Sequence, residues 1–287
     1  MTSNKTPPET FPAKLIANKV RIDPTDESNE VRELVIEIDN ADFKCGAGQS
    51  IGILAPLPPD SDEPFHLRWY SIADIPGKDH HGRPNVTICV RRVVTKHPIT
   101  GETVRGLASN YLCDLKPGSS LNVAGPKGIA FPIPTDPTAT LILIGAGTGI
   151  APFRVFIKTL HRKYPEWKGA IRLFYGSRTG LDTLYRNDPS EDLQQYFDEE
   201  TFKAFSALSP EPNWADPIAW DLAFSERGNE ILSLIEKPNT YIYVAGREEV
   251  RKNLDTLFSK LLGSENRWNL MRQELEKQNR WGELVYG

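Results

Sequence analysis

The stretch TLILIGAGTGIAPFR (140–154) limits the possible folds more than any other part of the chain. Its first eight residues form an unbroken apolar run with no polar residue alternating, so a strand here must be buried on both faces. A helix is predicted directly after the glycines, from about Pro152 to Arg162. AIRLFYGSR (170–178), IAWDLAFS (218–225) and TYIYVAG (240–246) repeat the strand-then-turn pattern, and the last leads into a helix over 247–262. Buried strands alternating with helices predict a parallel sheet covered on both faces. Residues 181–217, acidic and proline-containing, read as an insertion or a helical excursion.

Upstream the pattern differs. RELVIEI (32–38), QSIGILA (49–55), NVTICVRRVV (85–94) and SSLNVAGP (119–126) are short β-branched runs separated by Pro, Gly, Asp and Asn. They predict a small antiparallel barrel or sandwich. One short helix fits LASNYLCDL (107–115), stopped by KPG. FPIPTDPTAT (131–140) reads as a linker. The chain of 287 residues has room for two cores. The expected fold is therefore two-domain, with an antiparallel β-barrel over 11–135 followed by an α/β parallel-sheet domain over 136–287.

Bulk properties exclude several functions. The formal net charge is −4 and no block of lysine and arginine occurs, which argues against nucleic acid and a membrane surface. No apolar run approaches the ~18–20 residues that span a bilayer. The opening MTSNKTPPETFPAKL has neither an apolar signal core nor an arginine-rich presequence, so a cytoplasmic location is expected. Cys45, Cys89 and Cys113 are odd in number and share no paired spacing, which argues against a disulfide framework, a zinc site and an iron–sulfur cluster. His80 and His81 sit in a polar loop as solvated side chains, so no metal site is expected. The chemistry then falls to an organic cofactor or to plain side chains.

Ligands of open α/β sheets bind at the carboxyl ends of the strands, where GAGTGIAPFR (145–154) stands. A glycine-rich turn lets amides approach a phosphate at a helix N-terminus, which singles out Gly147, Thr148 and Gly149. The spacing is not G-x-G-x-x-G, and a tight turn that needs glycine for backbone reasons alone is the alternative. RWYS (68–71) taken alone suits a surface strand of alternating polarity.

RWYS, VTICVRRV, GLASNYLCDLKPG, GAGTGIAPFR and TYIYVAG occur in that order, and the chain closes on WGELVYG. This series resembles the plant-type ferredoxin–NADP reductase family, and is more similar still to the reductase half of the benzoyl-CoA epoxidase system. The resemblance runs from about residue 11 to the end, and implies an FAD-holding barrel followed by an NADP(H)-binding domain. It implies that Arg68 pairs with the FAD pyrophosphate and Tyr70 packs against the isoalloxazine. Ser71 would hydrogen-bond near flavin N5, with Trp69 on the opposite strand face. Cys89 and Arg91 match positions beside the cofactor, Arg91 near phosphate, and Ala108 and Ser109 would offer amides and a hydroxyl to the FAD phosphates. Gly147, Thr148, Gly149, Ser177, Arg178, Ser225, Arg227 and Gly246 would face the nicotinamide coenzyme. Tyr286 would stack on the flavin where nicotinamide must later lie, so Ser71 and Tyr286 carry the catalytic roles.

The chain departs from the family pattern on the nicotinamide side. Ala245 stands where the family has a cysteine, Leu284 where it has a glutamate, and Glu226 where it has an arginine. Glu283 is shifted by one residue, and Gly287 follows the aromatic terminus. NADPH is the expected coenzyme, with NADH possible. Two functions remain open. One is a reductase passing electrons to a one-electron carrier, namely ferredoxin, flavodoxin or an oxygenase component. The other is a flavin-binding partner protein with little or no nicotinamide turnover. For an acidic carrier, Lys14, Lys19, Arg21 and Lys127 are the candidate docking cations.

Overall fold

A computed structural model describes residues 9–22, 30–128, 131–177, 196, 201–208 and 226–286. The chain separates into two units, Met1–Ala130 and Phe131–Gly287. The division falls a few residues before the one read from the sequence, because Phe131 stacks at 5.0 Å on Tyr243 and at 6.0 Å on Phe153 of the second unit.

The first unit is built from β1 (Thr10–Ile22), β2 (Val31–Ile38), β3 (Ser50–Pro56), β4 (Phe65–Ser71), β5 (Gly77–Lys78), β6 (Pro84–Arg91), β7 (Val94–Lys96), β8 (Thr103–Arg105) and β9 (Ser120–Lys127), with one helix, α1 (Leu107–Asp114). Seven strands form an antiparallel sheet in the order β4-β3-β9-β1-β2-β6-β5, and β7 and β8 make a separate hairpin. An antiparallel bridge between Ile72 and Ile88, with the Ala73 amide donating to the Thr87 carbonyl at 2.8 Å, ties the end of β4 to β6 and closes the sheet into a barrel. Strand alternation fills it: Leu34, Ile36 and Ile38 of β2 and Val86, Ile88 and Val90 of β6 are all fully buried.

The second unit contains β10 (Thr140–Ala146), α2 (Ile150–Lys163), β11 (Ile171–Ser177), β12 (Phe202–Leu208), α3 (Gly228–Ile235), β13 (Thr240–Arg247), α4 (Glu248–Leu262), α5 (Glu265–Lys277) and β14 (Trp281–Tyr286). Its five strands are parallel, in the order β12-β11-β10-β13-β14. The chain runs outward from β10 to β12 and then crosses back to β13. The strand order therefore reverses between β10 and β13, which creates a crevice at their carboxyl ends. α4 ends on Gly263 in the left-handed region (φ 69°) and the Ser264 hydroxyl caps α5 by accepting from the Arg267 amide. No helix among the described residues is long and apolar enough to cross a membrane.

The sequence reading missed β12. FKAFSAL (202–208) lies inside the stretch read as an insertion, yet it pairs in register with β11 from Ile171↔Phe202 onward. Its two aromatic residues face opposite sides of the sheet: Phe202 is buried beside Ile171, and Phe205 packs beside Phe174 on the core of the other face. The strand expected at 218–225 lies outside the described residues.

Below the sheet, Trp268 of α5 is fully buried. It stacks on Phe258 at 4.3 Å, meets Trp281 edge-on at 5.6 Å, and donates its indole N–H to Asp255 at 2.9 Å. Trp268→Ala removes that stack and leaves a cavity, which should cost about 3–5 kcal/mol. Urea unfolding followed by circular dichroism measures the loss, and a cost under about 1 kcal/mol would show that α5 is not anchored by this ring.

Candidate functional site

In the barrel, RWYS forms the last four residues of β4. Arg68 and Tyr70 pair across the ladder with Ile53 and Ile51 and share their face, whereas Trp69 pairs with Gly52 on the other. On that other face the Trp69 ring lies over glycines: a Cβ at Gly52 would come within 3.3 Å of it and one at Gly125 within 3.0 Å. Lys127, one of the four docking candidates, sits 5.0 Å above the same ring. Arg21, a second, is ion-paired to Glu33 at 2.7 Å; Lys14 and Lys19 are exposed.

Tyr70 faces α1. Burial pushes its phenol well above the ordinary range, with Cys113 of α1 adding to the rise and Arg68 opposing it. Arg68 is exposed, Ser71 is half-buried, and the Tyr70 hydroxyl takes no hydrogen bond from the described residues. Cys89 is buried and Arg91 half-buried, both on the face of β6 opposite Ile88 and Val90, and no described contact joins Arg91 to Arg68 or Tyr70.

The start of α1 is held tightly. Gly106 precedes it, and a Cβ there would meet the Ser109 hydroxyl at 2.8 Å and Val93 at 2.9 Å. The Ser109 hydroxyl accepts from the Val93 amide at 3.1 Å and donates to the Gly106 carbonyl at 3.3 Å, which leaves one lone pair. The Asn110 side-chain Nδ2 donates to the carbonyls of Val93 (2.9 Å) and Gly106 (2.8 Å). The first intrahelical bond runs from the Asn110 amide to Gly106, no side chain caps the helix, and no acidic residue stands in its first turn. The amides of Leu107, Ala108 and Ser109 therefore lie at an uncapped N-terminus that favours an anion.

Behind this helix lies a buried ionic cluster that sequence reasoning did not find. Arg92 bonds Glu30, Asn110 (3.0 Å) and Asp114 (2.8 Å). Burial would pull its guanidinium down, but the hydrogen bonds to Asp114 and Glu30 outweigh that and hold it above the ordinary arginine range. Arg92 is written in CVRR, but Glu30, distant in sequence, carries no local signal.

In the second unit the glycine-rich turn stands at the crevice between β10 and β13. Gly147–Gly149 form a single 3₁₀ turn before α2. Gly149 lies flat on the next strand: a Cβ there would overlap the Ala245 carbonyl and come 3.0 Å from the Gly246 Cα. Gly147 has φ 55° and open space on its Cβ side, and the buried Tyr175 donates its hydroxyl to the Gly147 carbonyl at 3.0 Å. Thr148 stands between them. Gly246 has φ 145°. Parallel register sets Ala245 beside Gly145 and Leu284, and Arg247 beside Tyr286. The turn, the end of β13 and the backbone of Tyr286 thus share the carboxyl edge of one sheet.

The remaining candidates are only partly described. Ser177 ends β11, and its side chain, like that of Tyr286, lies outside the described residues together with the whole of Arg178 and Ser225. Arg227 precedes α3, with its guanidinium 4.6 Å from the Phe205 ring centroid and 3.9 Å from Glu230. Glu226 is exposed. Glu283 is engaged away from the crevice: it accepts from Arg272 at 2.6 Å and from the Trp281 indole at 2.7 Å.

A two-unit chain with a closed antiparallel barrel and a parallel-sheet nucleotide crevice has the architecture of a flavoprotein reductase. Residues 143–255 match the family model described as oxidoreductase NAD-binding domain. The ferredoxin–NADP reductase of Spirulina sp is 37% identical over 264 residues, covering 89% of this chain and 88% of the relative. The chloroplastic leaf isozyme 2 of ferredoxin–NADP reductase from Oryza sativa subsp. japonica is 32% identical, covering 100% of this chain and 78% of the relative. A crystal structure of a mutant ferredoxin–NADP+ reductase from Plasmodium falciparum, in complex with 2′P-AMP, superposes with a TM-score of 0.71 at 21% identity, covering 96% of each chain. The chain belongs to the ferredoxin–NADP reductase family.

Two outcomes follow from this geometry. Gly149→Ala forces a carbon into the Ala245 peptide and should destabilise the second unit by about 1–3 kcal/mol. Gly147→Ala meets no atom and should cost only the left-handed backbone, about 1–2 kcal/mol. If the Gly149 substitution leaves the urea midpoint unchanged, β13 and the turn are not in contact.

The second outcome concerns pH. Burial pushes the Cys113 thiol from 9.0 up to about 12, and the Cys45 thiol likewise. The folded state holds these protons more tightly than the unfolded chain. Their contribution is thus fully present below pH 9 and is lost as pH rises towards 12. Stability of the barrel should fall over that window by up to about 1.4 kcal/mol per pH unit per thiol. Cys113→Ala should flatten the fall, and equal slopes in the two proteins would rule the thiol out as its source.

Proposed function

We propose that this chain is an FAD-dependent reductase that moves electrons between NADPH and ferredoxin. The observation that carries the reading is the pairing of an uncapped, acid-free helix N-terminus with RWYS on the strand that the helix covers. That donor set fits FAD: amides and an arginine for the diphosphate, and a tyrosine with no hydrogen bond among the described residues to lie against the ring system. In this assignment the α1 amides of Leu107, Ala108 and Ser109 and the Arg68 guanidinium hold the diphosphate, with Arg91 nearby. Tyr70 orients the isoalloxazine and keeps water from its face, and the Ser71 hydroxyl stands at its reactive edge. FAD, when bound, supplies the exchange between the electron pair of a reduced nicotinamide and single electrons for a one-electron carrier.

The turn at Gly147–Gly149 and Gly246 would receive the coenzyme's phosphates, since a backbone without side chains lets amides approach closely. Ser177, Arg178, Ser225 and Arg227 are assigned to the adenosine end, and Tyr286 to the place that the nicotinamide must take. We assign the barrel to FAD and the parallel-sheet unit to the coenzyme. Flavodoxin and an oxygenase component are the alternative acceptors, and kinship to the reductase half of the benzoyl-CoA epoxidase system is a narrower reading that rests on the order of the sequence motifs.

The test begins with the purified protein, which should be yellow with FAD bound non-covalently. Rapid mixing with NADPH should bleach it, and reduced ferredoxin should restore reduction from the other side. A colourless protein that refuses added FAD would overturn the reading, and a yellow protein that NADPH fails to bleach would make it a flavin-binding partner instead. NADPH should be preferred over NADH, but weakly, because Glu226, exposed and standing by the resemblance where the family has an arginine, would repel a 2′-phosphate. Glu226→Arg should widen the kcat/KM ratio of NADPH to NADH by roughly tenfold. A wild-type preference for NADH that this substitution reverses would identify Glu226 as the selector of NADH.

A further inference from the structure

We infer that the buried Glu30–Arg92 pair is a positioning device for the diphosphate-binding helix, holding α1 at both ends so that its first amides are fixed in place. The inference rests on the reading that FAD binds in the barrel, and concerns residues that do not themselves reach the cofactor.

Glu30 lies at the entrance to β2 and is 5% exposed; Arg92 follows β6 and is 8% exposed. One Glu30 oxygen accepts from Arg92 and the other from Arg32, so a single carboxylate joins two guanidiniums. From Arg92 the network runs to the body of α1. One guanidinium nitrogen donates to the Asn110 side-chain oxygen Oδ1 at 3.0 Å and another to Asp114 at 2.8 Å. The Asn110 amide group in turn binds the Val93 and Gly106 carbonyls, which orients the turn ahead of Leu107. From Arg32 the network runs to the other end. Arg32 donates to the Asn18 oxygen at 3.3 Å, and the Asn18 amide nitrogen is shared among the carbonyls of Leu112 (3.3 Å), Cys113 (3.3 Å) and Leu115 (2.8 Å). These carbonyls lie in the last turn of the helix and at its C-cap, Leu115.

A helix of eight residues has too few internal bonds to hold its own shape or place. Its amides attract an anion strongly only if they do not have to be ordered on binding. The clamp supplies that order. Two arginines against one glutamate and one exposed aspartate are also a costly arrangement to bury for stability alone, since apolar residues of like volume serve a core as well or better. What the ionic version adds is direction, because each planar guanidinium fixes two or more partners at set angles.

The experiment uses the FAD-loaded protein and reads FAD release by the rise in free-flavin fluorescence after dilution. It is paired with ³¹P NMR of the bound diphosphate. Glu30→Gln keeps the shape and loses the charge, and Arg92→Lys keeps the charge and loses the fork. Each should speed FAD release by about tenfold or more and move the two diphosphate resonances, while the visible flavin bands stay in place. Asn18→Ala removes only the far strut, leaves the buried pair intact, and should give a smaller increase. Arg83→Gln is the control, because it breaks an ion-pair set with Asp79 and Glu37 elsewhere on the same barrel and should change neither readout. Wild-type release and unmoved resonances in the folded variants would overturn the proposal, as would an equal effect of Arg83→Gln, which would mean general loosening of the barrel. If Glu30→Gln and Arg92→Lys do not fold, Asn18→Ala decides alone by the same two readouts. A wild-type protein without FAD refutes the underlying reading instead, and its absorption spectrum tells the two failures apart.

Discussion

The flat contact between Gly149 and the Ala245–Gly246 peptide sets the spacing of the whole coenzyme half. Where the strand order reverses, the connections after the two adjacent strands leave in opposite directions and open a crevice, and the turn after β10 stands in it. Because no side chain intervenes at Gly149, the amides that open α2 lie against the end of β13. Tyr175 pins the turn from the neighbouring strand through the Gly147 carbonyl. The register of β13 with β14 then brings the backbone of Tyr286 to the same edge. A crevice, a helix N-terminus and the end of the last strand are thus consequences of one close approach of backbone to backbone.

The barrel reaches a comparable result by different means. Its sheet closes through a single bridge at Ile72 and Ile88, immediately after RWYS, so the functional strand is also the closing strand. On that strand Tyr70 faces α1, with Arg68 on the same face, and Trp69 faces the glycines of β3 and β9. In the second unit backbone packing fixes the glycine-rich turn. In the first, buried ions fix the short helix.

Much of this was legible in the sequence, and the reasons differ by element. The run TLILIGAG read as a doubly buried strand, and β10 is one; the short β-branched runs RELVIEI and NVTICVRRVV, bounded by turn residues, announced the barrel wall. The opposite facing of Tyr70 and Trp69 follows from strand geometry alone. β12 was hidden because an edge strand with polar residues in it resembles the acidic segment around it. The Glu30–Arg92 clamp was hidden for another reason: its members are 62 residues apart, and no local pattern reports a pairing at that distance. Glycine roles were half legible. The turn called for glycine, but only the structure separates Gly147, where backbone conformation demands it, from Gly149, where a neighbouring peptide does.

The family departures on the nicotinamide side fit together once Glu283 is located. Its carboxylate is held by Arg272, which also binds Asp255 and Glu276 and lies 5.1 Å from the Trp281 ring. Burial alone would lower the Arg272 guanidinium, yet Glu283 and Asp255 outweigh that and raise it, so Arg272 stays charged. Glu283 therefore fastens β14 to α4 and α5, and is committed on the helix side of the strand. The next residue faces the other way, and there the chain has Leu284 beside the fully buried Ala245. Where the family pattern sets a carboxylate and a thiol, this protein sets two apolar side chains. Neither side chain can donate or accept a proton, so Ala245 and Leu284 can contribute to this edge only by packing and by the exclusion of water.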